Sequence, residues 1–279
     1  MKPTSVLSKQ RVARLEQQAN ALASERKWQD AARLLSRVAQ AAPADVSRWL
    51  QIADWQREAR DFQASVQTLQ QALEEQNKNA HQKSSTRLEK NSHEQSTRDL
   101  ERLWLALCET QAEAQNWAEC VAACRSLLHL APRHHLAREI LATAHLHLEQ
   151  LAETEAVLRE LLLLSPRDPL HRLKLATLLQ MQGKSGEALR EFERVAESYP
   201  EAPFAGEALE AIELLDNLQM QQLLMRAGEQ PMFHQQMQSA LDETLRDNGF
   251  QLTDEGRESL RHMMSDGRIS PEPERVRIH

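Results

Sequence analysis

Between Arg167 and Pro200 the apolar positions trace two helical faces in succession. Leu175 and Ala176 belong to a first predicted helix, Gly183 breaks it, and Ala188, Phe192 and Val195 mark a second helix that ends at Tyr199-Pro200. The pattern recurs upstream, since Pro132, Pro166 and Pro200 lie 34 residues apart and each closes a stretch rich in Ala and Leu. A unit of that length is one helix–turn–helix whose apolar face is buried only by stacking on a copy of itself. The preceding unit supplies Leu141, Ala142, Leu158, Leu161 and Pro166, and the one before it Trp104, Leu107, Cys108, Cys120, Leu127 and Pro132.

Two further copies lie toward the N-terminus. Leu15, Ala19, Leu22, Ala31, Leu35, Val38 and Pro43 form one; Trp49, Ile52, Ala53, Ser65, Leu69, Ala72 and Asn77 form the next. Asn77 stands 34 residues after Pro43, where a proline is expected. A second marker keeps the same phase: the second helices open on Trp28, Phe62, Trp117 and Leu151, and in the last unit on Ser185.

The small residue on each helix where the two touch, the turn glycine, the aromatic and the closing proline resemble the tetratricopeptide repeat over about residues 10 to 200. The fourth unit departs from that pattern, with Thr154 where Ala is usual and Glu149 in place of the turn glycine. The resemblance implies an all-α, right-handed α-solenoid of about five such units, with capping helices at the C-terminal end.

The phase breaks once. Asn77 to Pro132 spans 55 residues, one period plus 21, and the surplus falls at residues 78–98. That stretch has Leu88 as its one large apolar residue and five basic against two acidic side chains, so it is expected to be a polar flexible insertion. The alternatives are an extension of the flanking helices by a turn or two, and a Ser/Thr-rich regulated or partner-binding loop. The insertion separates an N-terminal pair of units (1–77) from three more (99–200). Beyond Pro200 the period fades. Leu209, Ile212, Leu215, Leu218 and Leu223 predict a capping helix within 201–228, ended by Gly228. Pro231 to Asn248 predicts another helix carrying Phe233, Met237, Leu241 and Leu245, with Gly249 as its stop. Thr253 is the expected N-cap of a short helix through Met264, which completes a helical hairpin over 229–265 with Phe250 and Leu252 tucked inside. Residues 266–279, with Pro271 and Pro273, are expected to be an unstructured tail.

Composition narrows the function. Only seven Gly among 279 residues, with abundant Ala, Leu, Gln and Glu, favours helix throughout. The net charge of −7 argues against a phosphate-binding surface, so nucleic acid is not an expected partner. The densest apolar run, Leu161–Leu164, is too short to span a bilayer, and Met1–Gln10 carries lysines without an apolar stretch behind them. No membrane insertion is expected, and the expected compartment is the cytoplasm.

No catalytic constellation stands out. No Ser or Cys has an evident His and acid partner, and neither a glycine-rich phosphate loop nor a paired-carboxylate signature is present, so no enzyme activity and no cofactor are expected. Cys120 and Cys124 share a helix face near Cys108, with His129, His134 and His135 close in sequence; a zinc or thiol-dependent role is the minor alternative. Cys108 and Cys120 occupy the positions that demand small buried side chains, which makes core packing the expected role and leaves no assigned metal site. His145 takes the place of a large residue facing the neighbouring helix.

The inner surface carries the functional expectation. The resemblance implies that the first helix of each unit lines a concave face and that its ligand-facing positions are Ala13, Glu16 and Asn20; Ser47, Leu50 and Asp54; Arg102, Leu105 and Glu109; Leu136, Glu139, Thr143 and His147; and Leu170, Leu173, Thr177 and Met181. The clamp that holds a terminal carboxylate in chaperone-binding members needs Lys, Arg and Asn there; Asn20 and Arg102 alone fit that type, two units apart, which disfavours a carboxylate ligand. The face reads as acidic toward its N-terminal half and apolar toward its C-terminal half. It is expected to act as a non-catalytic scaffold or adaptor for another protein or peptide with apolar anchors, held by Leu105, Leu136, Leu170, Leu173, Thr177 and Met181, with Glu109 and Glu139 orienting a basic partner. The alternative is a structural homo-oligomer, or a groove filled by the chain's own C-terminal helices, with Phe233, Met237 and Leu241 as plugs.

Overall fold

A computed structural model describes residues 9–83 and 90–265, and among these every regular element is an α-helix. In chain order they are α1 (Lys9–Ser24), α2 (Trp28–Ala41), α3 (Val46–Glu58), α4 (Phe62–Lys83), α5 (Lys90–Glu113), α6 (Trp117–Leu130), α7 (His135–His147), α8 (Leu151–Leu164), α9 (Pro169–Met181), α10 (Ser185–Ser198), α11 (Ala205–Glu229), α12 (Pro231–Ser239), α13 (Leu241–Asp247) and α14 (Asp254–Ser265). This is the all-α solenoid class that the 34-residue period implies. The chain divides into two compact units, residues 1–157 and 158–279, with the division inside α8. No described helix is long and apolar enough to cross a membrane.

The turn between paired helices is the same each time, and the backbone records it. Arg26, Arg60, Gln115 and Glu149 hold φ near +60°, and Gly183 holds +73° at the equivalent place. Each is followed by a residue whose N–H reaches back five positions into the helix just ended. Examples are Lys27 to the Leu22 carbonyl at 2.9 Å, Gln150 to His145 at 2.9 Å and Lys184 to Leu179 at 2.9 Å. The left-handed residue lets the chain reverse while satisfying carbonyls that the helix end would otherwise leave bare. Four of these five positions are occupied by side chains that pay a steric cost there, which is why a search for turn glycines finds only Gly183.

The paired helices close on the small residues named from sequence. Ala19 and Ala31, Ala53 and Ser65, Cys108 and Cys120, and Ala176 and Ala188 are all within 1% of full burial. Where the small residue is polar it bonds across the contact. Ser65 Oγ donates to the Ala53 carbonyl at 3.0 Å, and the Cys120 thiol to the Cys108 carbonyl at 3.5 Å. Thr154, also buried, turns its hydroxyl back onto the Gln150 carbonyl at 2.9 Å. A buried hydroxyl without such a partner would cost roughly 1–3 kcal/mol, so these substitutions for Ala are tolerated because the facing carbonyl is there. Around the contacts Trp49, Ile52, Leu69, Leu103, Leu127 and, in the second unit, Leu175 and Leu179 are fully buried.

First helices start at defined caps. The Asp45 carboxylate accepts from Ser47 N–H at 3.1 Å, His134 Nδ1 from Ala137 N–H at 3.1 Å, and Asp168 from Leu170 N–H at 2.9 Å, ahead of Pro169 in the first turn of α9. Within 78–98, α4 continues to Lys83 and α5 already runs from Lys90, so both flanking helices extend into this stretch; residues 84–89 lie outside the described residues. The tail expected at 266–279 lies outside them as well.

The C-terminal helices differ from the expectation at one point. The helix expected over Pro231–Asn248 is two helices, α12 and α13, broken at Ala240 with φ −150° and ψ 65°. Phe233, Met237, Leu241 and Leu245 are each four residues apart, and a straight helix drifts about 40° at every such step. The break resets the drift, so all four enter one cluster with Met220, Leu223, Ala227, Leu252 and Leu260. A polar latch holds the last helix to α11. The buried Asp216 carboxylate accepts from the Thr253 backbone N–H at 3.1 Å and from the Thr253 hydroxyl, which in turn accepts from Gly256 N–H at 2.9 Å as the N-cap of α14. Gln219 pairs with the Gln251 backbone in both directions, at 2.7 and 2.9 Å.

Candidate partner-binding faces

In the first unit the first helices follow one another along one side, with α3 against α5 and α5 against α7. Their outward positions are joined by polar bridges. Arg48 of α3 donates to Glu16 of α1 at 2.7 Å, Gln51 donates to Asn20 at 3.0 Å, and Arg57 of α3 reaches Glu109 of α5 at 3.1 Å and Glu113 at 3.5 Å. Arg57 also lies 3.2 Å from Asp54 on its own helix. One guanidinium thus gathers three carboxylates. Partial burial raises the Asp54 carboxyl above the usual carboxylate range; Arg57 opposes the shift, and Glu109, Glu113 and Glu58 add to it. Glu109, expected to orient a basic partner, is therefore already engaged by Arg57.

Farther along, Leu105 is partly buried while Leu136, in the first turn of α7, keeps 41% of its surface exposed. Glu139 lies 3.4 Å from His135 Nδ1, one turn back on α7. The Thr143 hydroxyl donates to the Glu139 carbonyl at 3.0 Å. His147, at the end of the helix, stacks flat on Trp117 with ring centroids 4.0 Å apart and planes 5° from parallel. Arg102 lies 3.7 Å from Asp99.

In the second unit α9 carries Leu170, Leu173, Thr177 and Met181 along one face, because spacings of three and four return to the same side of a helix. Leu170 is 43% and Met181 59% exposed; Leu173 is half-buried, and the Thr177 hydroxyl donates to the Leu173 carbonyl at 3.0 Å. The opposite face of α9 packs on α10, where Arg172 meets Glu191 at 2.7 Å and donates to the Pro166 carbonyl at 3.0 Å. A cavity of about 1020 Å³ in this unit is elsewhere, bounded by α10, α13 and α14 and lined by Arg190, Glu193, Phe250 and Arg257 among others.

Two sequence expectations meet specific outcomes. Phe233, Met237 and Leu241 are not available as plugs: their side chains are buried in the cluster with Leu223 and Leu260, because the broken helix turns all three inward. The cysteines are core residues. Cys108, Cys120 and Cys124 are fully buried free thiols. Hydrogen bonding to Cys124, and then burial, pushes the Cys120 thiol far above its ordinary range; bonding to Cys108 does the same for Cys124, which favours the protonated thiols.

Sequence inspection passed over Arg48 and Arg57. A signal existed: Arg48 and Glu16 are 32 residues apart and Gln51 and Asn20 are 31, about one period. Arg57 and Glu109 are 52 apart, which is 31 plus the 21-residue surplus.

Residues 172–202 match a family model for the tetratricopeptide repeat. Among solved structures, MamA (residues 41 to the end) from Desulfovibrio magneticus RS-1 is 13% identical, with 69% of this chain and 97% of that one covered at a TM-score of 0.50. YrrB, a tetratricopeptide-repeat protein described as having an unusual peptide-binding site, is 11% identical, with 69% and 88% covered at a TM-score of 0.48. No curated protein matches the sequence.

Proposed function

We propose that this tetratricopeptide-repeat protein is a non-catalytic scaffold whose first-helix faces take a segment of a partner protein with apolar anchors. The observation that carries the reading is the solvent exposure of large apolar side chains at ligand-facing positions of the repeat, Leu136 at 41%, Leu170 at 43% and Met181 at 59%. Burying a leucine that is already ordered on a rigid helix costs little entropy and gains about 1.5–3 kcal/mol for full burial, less for a side chain already half covered. In the first unit Leu105 and Glu139 accompany Leu136, Glu139 as an acidic edge; in the second, Leu173 and Thr177 share the α9 face with Leu170 and Met181. With Glu109 and Asp54 both held by Arg57, any preference for basic residues falls to Glu139. Cys108, Cys120 and Cys124 are buried in the packing of α5 and α6.

A displayed library of amphipathic helical peptides, panned on the full chain, tests this. Binders are expected, and Leu136→Glu or Leu170→Glu is expected to weaken them at least tenfold while leaving the circular dichroism spectrum unchanged. Both substitutions place an acid in the first turn of a helix, where it does not oppose the helix dipole. Binders that ignore both changes would remove the assignment.

A further inference from the structure

A groove of about 600 Å³ lies between α4, α5 and α6 of the first unit. On α5 it is lined by Trp104, Leu107 and Gln111, spaced three and four residues apart, on the side opposite Arg102, Leu105 and Glu109. It is therefore separate from the first-helix faces proposed for a partner with apolar anchors. Leu73 of α4 and Leu107, each 5% exposed, give it an apolar floor. On the α6 side it meets Ala122 and Ser126, which are too small to fill it, and Trp104 stays partly exposed.

The polar groups of this groove lack partners. Gln111 is 5% exposed and its side-chain oxygen accepts from Asn116 Nδ2 at 2.9 Å, yet its Nε2 has no acceptor among the described residues. The Trp104 indole N–H has none among them either. Two free donors, one on a buried side chain, call for carbonyl oxygens, because a buried donor left unpaired is costly. Glu74 and Glu119 line the same groove, both exposed and neither in a salt bridge among the described residues. Lys78, one turn beyond Glu74, is engaged by Glu75 at 2.8 Å, and no described lysine or arginine lines the groove.

This combination selects the occupant. The carboxylates repel an anion and attract a cation. The indole face and the leucines suit a planar guanidinium and its carbon stem better than a compact, strongly hydrated ammonium. The free donors suit main-chain carbonyls on either side of that residue. A wholly apolar segment would desolvate donors and carboxylates without pairing any of them. We propose that the groove between α4, α5 and α6 is a further docking site, which takes an arginine-bearing segment of a partner protein, the guanidinium lying against Trp104 and meeting Glu74 or Glu119. This assignment stands or falls independently of the first-helix faces.

The test follows the Trp104 indole N–H by nuclear magnetic resonance, its signal identified by loss in Trp104→Phe. The full chain is titrated with the blocked tripeptide acetyl-Ala-Arg-Ala-amide, with a citrulline counterpart of the same shape and no charge, and with a leucine counterpart. The arginine peptide is expected to move the signal saturably, and the other two to bind about fivefold more weakly or less. Glu74→Gln/Glu119→Gln, at exposed positions that leave the fold intact, should weaken the arginine peptide by about fivefold as well. Leu136→Glu should leave its binding unchanged. A wild-type signal that stays in place overturns the proposal, and so do equal responses to the three peptides or a response that the double substitution leaves intact. A signal that moves when the protein alone is diluted would make a second copy the occupant, which overturns it too.

Discussion

Asp216, in the middle of α11, accepts hydrogen bonds from both the backbone N–H and the hydroxyl of Thr253, 37 residues later. The contact makes one carboxylate the anchor of α14. It also explains a glycine: a Cβ on Gly256 would collide with the Asp216 carboxylate. The carboxylate cannot swing aside without releasing Thr253.

Gly256→Ala is therefore expected to destabilise the protein by about 1–3 kcal/mol, the usual range for an added methyl with no room. Asp216→Ala removes the clash but strands the Thr253 N–H, at a cost of about 1–3 kcal/mol. The two sites share one contact, so the double variant should lose less than the sum of the two single changes. Urea unfolding of the four proteins measures it.

The left-handed turn positions offer the opposite sign. Replacing Arg60 or Glu149, at φ 60° and 57°, by glycine removes a steric cost of roughly 1–2 kcal/mol against an entropy loss of about 0.5–1 kcal/mol. Each change should raise stability by up to about 1 kcal/mol, and Gly183→Ala should lower it. Thermal melts of the three variants decide the matter.

Thiol labelling should report global unfolding. Cys108, Cys120 and Cys124 are buried, and the last two are held protonated, so a thiol reagent should react in the native state at a small fraction of the rate in denaturant. Fast labelling of any one of them in buffer would contradict the packing described.

The cluster around Arg57 predicts a pH dependence. Burial raises the Asp54 carboxyl above its ordinary value of 3.8. An acid whose folded-state pKa lies above its unfolded one costs stability when ionised; the cost is present above the folded pKa and gone below 3.8. Asp54→Asn should hold or raise the melting temperature at neutral pH, since Arg57 keeps Glu109 and Glu113, and the difference from wild type should vanish below that value. Melts across pH 3 to 7 test the sign.

The sequence by itself determined what is local. The period and the paired small residues were legible because a solenoid repeats one set of nearest-neighbour contacts, so each unit restates the same information. Ala176 and Ala188 could be paired on the strength of Ala19 and Ala31. Even the turn at Glu149 could be placed without its glycine, from the phase of its neighbours. Tertiary structure decided what occurs once. The break at Ala240, the burial of Asp216 and the capture of Glu109 by Arg57 each depend on a particular partner brought close by folding. Apolar spacing alone reads 231–248 as one helix, and a carboxylate in the middle of α11 reads as solvated. Both change when α11 must bury one face against α14, because desolvating a carboxylate is tolerable only where donors such as Thr253 meet it. The same inward turn that buries Asp216 leaves Leu214, Leu218 and Met225 outside.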